Sequence, residues 1–217
     1  MKFVEIAKKD LTIEFRTKGT LNLMILFALI TSMMFSVTIP MSFAERIAPS
    51  LLWLVFLFVG MLGYGRAFLR EVETETLDGL KMAPISPVSV LLGKVTYNVA
   101  LMLLIEVIIT PIFFGLFNLS AAKPLLMVGS MTLGNLSFVV VVSSLSILVI
   151  KSKMREMLLP VLIFPVVFPV ITSTIVAVRM CMNGNVSGIL SPLSLISGFT
   201  VLILLVACIT FEHAFTD

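Results

Sequence analysis

Charge is what this sequence lacks most. Only 12% of its 217 residues are Asp, Glu, Lys or Arg, about half the roughly 25% that soluble domains need for a water-facing surface. That shortage excludes an ordinary soluble domain. Residues that carry metal or redox chemistry are equally scarce. The two cysteines, Cys181 and Cys208, lie far apart and form no CxxC or CxxCH pattern, so they read as packed thiols. One histidine, His213, and one tryptophan, Trp53, leave no material for a tryptophan-rich platform or a histidine-based ligand set. No GxxxxGK(S/T) loop is present either: Gly93-Lys94 is followed by Val95 and lacks the upstream glycine. No catalytic residue and no metal site can be assigned. The net charge is +3, but the basic residues stand at the ends of apolar runs rather than in one patch, which argues against a nucleic-acid partner.

What is present is apolar length. Hydrophobic residues make up 59% of the chain, and runs of about 20 of them are what the roughly 30 Å hydrocarbon core of a bilayer requires of a helix. Six such runs are legible: Leu21–Ile39, Ile47–Gly65, Val95–Phe117, Leu125–Ile150, Met157–Val178 and Ile189–Phe211. A bilayer supplies no water to the backbone, so each run must be a helix or part of a closed barrel. The runs are too long for barrel strands and do not alternate. The expected fold is all-α, a single six-span membrane domain over residues 1–217. Ser42-Phe43-Ala44 imitates a signal-peptidase site, but the preceding apolar and charged segments are both too long for a signal peptide, and the first span reads as uncleaved.

Orientation follows from Lys and Arg. The N-terminal segment and the second and fourth loops hold 12 of them, whereas Arg46, Lys123 and Arg179 are the 3 in the odd-numbered loops. Both termini are therefore expected in the cytoplasm of a prokaryotic cell, with the chain crossing the plasma (inner) membrane.

Two cytoplasmic stretches are long enough to act. In residues 1–20, Phe3, Val4, Ala7, Leu11 and Phe15 share one arc of a helical wheel and Lys2, Glu5, Lys8, Lys9 and Arg16 another, with Asp10 and Glu14 off the pattern. This fits an interfacial amphipathic helix lying on membrane lipid, or more plainly a solvated tail. The stretch Arg66–Lys94 begins helix-compatible, with Glu71, Glu73, Glu75 and Asp78 making an acidic surface beside Val72, Leu77 and Leu80. Pro84 disfavours helix at Ala83, and Ser86-Pro87 has the form of a cap and first helical residue. A short helix over 70–83 between spans two and three would suit docking to a soluble partner; a solvated connector is the plain alternative.

Within the spans, Glu106 requires a reason. An ionised carboxylate at the bilayer centre costs about 2.5–3.5 kcal/mol even on insertion scales. It is either a pathway or coupling residue or an interhelical hydrogen-bond acceptor for a neighbour such as Asn98 or Asn135. Pro160, Pro165 and Pro169 should kink the fifth span, as hinges or as static packing features. Ser130, Gly134 and Ser137 give the fourth span a small-residue face for close helix contact.

Four stretches carry a resemblance to a known family. They are KDLTIEFRTKGTLNLMILFAL at Lys9–Leu29, IAPSLLWLVFLFVGMLG at Ile47–Gly63, TLDGLKMAPISPVSVLLGK at Thr76–Lys94 and LIFPVVFPVI at Leu162–Ile171. The chain resembles the haem exporter protein B (CcmB) family, ABC-2-type permeases of the system I cytochrome c maturation machinery; one departure is Glu75, where a glycine is usual. The resemblance implies a homodimeric permease subunit worked by a separate ABC ATPase chain, which alone binds ATP. Beside it would stand a tryptophan-rich haem-handling membrane subunit. Haem would be the transported or pathway ligand, with no cofactor resident in this chain, and Glu71–Met82 would be the coupling helix seated in the ATPase. An ABC-2 exporter for a lipid or drug is the runner-up, and a membrane enzyme or passive scaffold a third class that Glu106, as the one acid within the spans, does not support.

Overall fold

The computed structural model describes the backbone of residues 2–73, 86–149 and 155–216, and side chains over 3–63, 86–146 and 158–210. Among the described residues the chain is helical without strands: α1 (Lys2–Thr17), α2 (Gly19–Thr38), α3 (Met41–Glu73), α4 (Pro87–Leu116), α5 (Pro124–Val149), α6 (Arg155–Met182) and α7 (Leu190–Thr216). The last six each contain a stretch of at least 20 residues long and apolar enough to cross a membrane.

The helix boundaries have local causes. The α1–α2 break falls at Lys18, whose φ of 54° puts it in the left-handed region, with Gly19 following. Ser86 caps α4 as its sequence position predicts, its hydroxyl accepting from the Ser89 amide, with Pro87 in the first turn. Two boundaries move outward from the apolar runs. Helix α3 starts at Met41, so Glu45 and Arg46 lie inside its opening turns rather than in a loop. Helix α4 starts at Pro87, so Lys94 is a helical, buried residue and not a loop cation. Apolarity marks where lipid begins; a helix runs past that point wherever other helices or water receive its polar side chains.

Helix α5 is the hub and packs on α3, α4, α6 and α7. Its small-residue face accounts for this: Ser130 and Ser137 are buried. A Cβ added at Gly134 would collide with the Thr174 hydroxyl of α6 and come within 2.8 Å of the Trp53 ring of α3. Trp53 in turn meets Phe138 edge-on, with centroids 6.3 Å apart. Helices α2 and α7 are outermost and expose Leu26, Ile30, Met33 and Met34 on one side and Val201, Leu202, Leu205 and Ile209 on another. Such faces suit lipid or a neighbouring membrane helix. The C-terminal ends of α2, α4 and α6 share one membrane face, where the Ser36 hydroxyl donates to the Leu116 carbonyl (3.2 Å) and the Lys123 amide to that of Cys181 (3.1 Å). Helix α1 sits at the opposite face, against α4.

Candidate functional site

At that opposite face α1 is not a free amphipathic tail. Its closely packed face consists of Ile6, Ala7, Asp10 and Glu14, all buried, while Val4 and Phe15 of the expected apolar arc are about half exposed (48% and 49%). The packed face is rotated because the two carboxylates have partners. Asp10 Oδ2 lies 2.7 Å from Lys94 Nζ, and the lysine side chain is only 1% exposed. Glu14 Oε1 accepts from the Leu21 amide at 2.8 Å, and its second oxygen accepts from the Tyr97 hydroxyl at 3.5 Å. The Lys18 side chain makes no cap bond to α2, so Glu14 satisfies one of the amides that a helix start leaves open. One carboxylate thus joins α1, α2 and α4.

Close approach is permitted by Gly93. A Cβ there would meet the Ile6 side chain at 2.9 Å and the Phe3 carbonyl at 3.1 Å. The residues Gly93-Lys94 close the stretch Thr76–Lys94, and Asp10 and Glu14 stand near the start of the stretch Lys9–Leu29. The end of one segment and the start of another far away in sequence therefore meet, in the first two turns of α4. The amphipathic pattern marks Asp10 and Glu14 only as exceptions, counts Lys94 among the loop cations and gives Tyr97 no role. The available signal was spacing: carboxylates four residues apart in α1, answered by a cation and a phenol three apart in α4, place each pair on one helix face.

Deeper in the membrane, Glu106 of α4 is 3% exposed and faces α5. Asn135 Nδ2 donates to Glu106 Oε2 at 2.6 Å, and the Thr132 hydroxyl lies 3.1 Å from Oε1. Thr132 has one hydroxyl hydrogen and also a closer acceptor, the Val128 carbonyl at 2.8 Å, so Asn135 is the principal partner. Asn98 bonds Ser143 of α5 instead, at 3.0 Å. From Asn98 to Glu106 is eight residues up α4, and from Ser143 to Asn135 is eight residues down α5. At 1.5 Å rise per residue the two polar clips stand about 12 Å apart and fix the antiparallel register of the pair.

Of the remaining candidates, Glu71 and Glu73 end α3, while Leu77, Asp78 and Leu80 lie outside the described residues. Pro160, Pro165 and Pro169 all lie within α6, which runs as one helix through them. Among the described residues no three His, Cys, Asp or Glu side chains gather as a metal set.

The family model described as "CcmB protein" matches residues 1–216. A relative, named heme exporter protein B in Rhodobacter capsulatus, is 29% identical over 197 residues, which cover 90% of this chain and 89% of that protein.

Proposed function

The chain belongs to the CcmB family, and on that premise we propose that it is the permease subunit of an ATP-driven complex that exports or delivers haem for c-type cytochrome biogenesis. The observation that carries this reading is the extent of the family match, residues 1 to 216, which takes in α1, all six spans and the segment between α3 and α4. The heme exporter relative covers nearly the same length. ATP is hydrolysed by a separate ABC ATPase, since this sequence has no phosphate-binding loop. A tryptophan-rich membrane subunit handles haem beside it, and two copies of the chain form the permease. Both termini are cytoplasmic; the Lys and Arg asymmetry supports this even with Lys94 removed from the count.

Coupling begins at residues 70–83. Glu71, Glu73, Leu77, Asp78 and Leu80 present acid and leucine to the ATPase. Motion there passes into α4, which starts at Ser86-Pro87, and α1 moves with α4 because Asp10 and Glu14 hold it. Glu106 carries the displacement to α5 through Asn135 and Thr132 at mid-membrane, and Pro160, Pro165 and Pro169 let α6 flex.

Deleting the gene in its host tests the assignment. Covalent haem staining of c-type cytochromes should vanish while b-type cytochromes persist. Normal c-type staining in the deletion strain would refute it.

A further inference from the structure

Arg46 and Arg179, two of the three basic residues that the sequence puts between spans on this face, converge on a cavity that the coupling scheme does not use. It has a volume of about 550 Å³ and is lined by Ser42, Phe43, Glu45 and Arg46 from the opening turns of α3 and by Arg179 and Asn183 from the end of α6. It lies at the membrane face opposite α1. Arg179 Nη2 donates to the Arg46 carbonyl at 3.2 Å, which fixes one guanidinium at the cavity wall. Among the described residues neither arginine forms an ion pair.

A basic residue in the last turn of a helix often serves only to complement the carbonyl end of the dipole. Here that role is filled by backbone amides. The carbonyls of Arg179, Cys181 and Met182 accept from the amides of Asn183, Lys123 and Ala122. The Arg179 charge is left for something else. Helix α3 starts at the same cavity, and the positive end of its dipole points the same way. One wall carries an apolar ring: Phe43 is 57% exposed. An open cleft with two arginines and an exposed phenylalanine at the membrane surface fits a ligand with an anionic head and an apolar body.

We propose that this cavity binds the carboxylate or phosphate head of an amphiphile through Arg46 and Arg179. The planar guanidinium fork matches both anions in bidentate geometry. The head can come from the propionates of haem, an arm that rests on the function proposed above, or from an anionic phospholipid. Glu45, on the same wall, opposes the anion and weakens binding.

The test uses the full chain in nanodiscs of phosphatidylcholine, with ferric haem, haem dimethyl ester and phosphatidylglycerol as probes. The double variant Arg46→Gln/Arg179→Gln should bind ferric haem or phosphatidylglycerol about tenfold or more weakly, the loss expected for charge-assisted hydrogen bonds. Binding of the ester, whose propionates carry no charge, should not change. Glu45→Gln should strengthen the same probe severalfold. Loss confined to haem identifies the propionates, and loss confined to the lipid identifies the headgroup. A folded double variant that binds both anionic probes like wild type overturns the site, as does an ester that weakens as much as haem. If the double variant does not fold, Glu45→Gln decides: no gain with either probe overturns the proposal. The cytochrome phenotype of the deletion strain stands or falls separately.

Discussion

Lys94 Nζ and Asp10 Oδ2 stand 2.7 Å apart, across 84 residues of sequence, with the lysine fully buried between α1 and α4. The pair fastens the N-terminal helix to the third span. A buried charge that loses its partner is costly, whereas removing both charges together is often close to neutral.

Lys94→Met should therefore destabilise the protein, but by less than the about 3–5 kcal/mol of a buried pair broken from one side, because Asp10 keeps Lys9 Nζ at 3.4 Å from its other oxygen. Asp10→Leu/Lys94→Met should recover most of that loss. Thermal unfolding in detergent, followed by helical circular dichroism, measures both. Equal melting temperatures for Lys94→Met and wild type would mean that the pair does not hold α1.

Glu106→Gln keeps one acceptor oxygen for Asn135 and replaces the other oxygen, near Thr132, with an amide donor. Protein levels should stay normal while c-type cytochrome maturation falls. Normal maturation with Gln, together with loss of protein for Glu106→Leu, would reduce Glu106 to a structural hydrogen-bond acceptor between α4 and α5.

Orientation is tested with single cysteines at exposed positions on the two faces. In intact cells, Lys123→Cys should react with a membrane-impermeant thiol reagent and Lys8→Cys should not. Labelling of Lys8→Cys from outside would invert the topology.

The six spans were legible because lipid imposes one simple demand, enough apolar length to satisfy a helical backbone. The Ser86-Pro87 start of α4 was legible because capping is local chemistry. The small face of α5 was legible because Ser130, Gly134 and Ser137 stand out in an apolar run. What stayed hidden depends on which helix meets which. Asp10 and Glu14 spoil the amphipathic pattern of α1 unless Lys94, Tyr97 and the Leu21 amide are known to face them. Lys94 resembles a loop cation until Asp10 is found beside it. Asn98 and Asn135 were equal candidates for Glu106, and only the register of α4 on α5 separates them. Arg46 and Arg179 belong to different loops in sequence and to one cavity in space.

The central claim, that a separate ATPase docks on the segment between α3 and α4, is tested most directly by co-purification from detergent extracts. Apolar anchors carry most of the energy of such contacts, whereas exposed ion pairs contribute only about 0–1 kcal/mol. Leu77→Asp should release the ATPase and Glu73→Ala should retain it, with membrane insertion unchanged in both, since neither position lies within an apolar run. ATPase recovered with Leu77→Asp at wild-type yield would contradict the account.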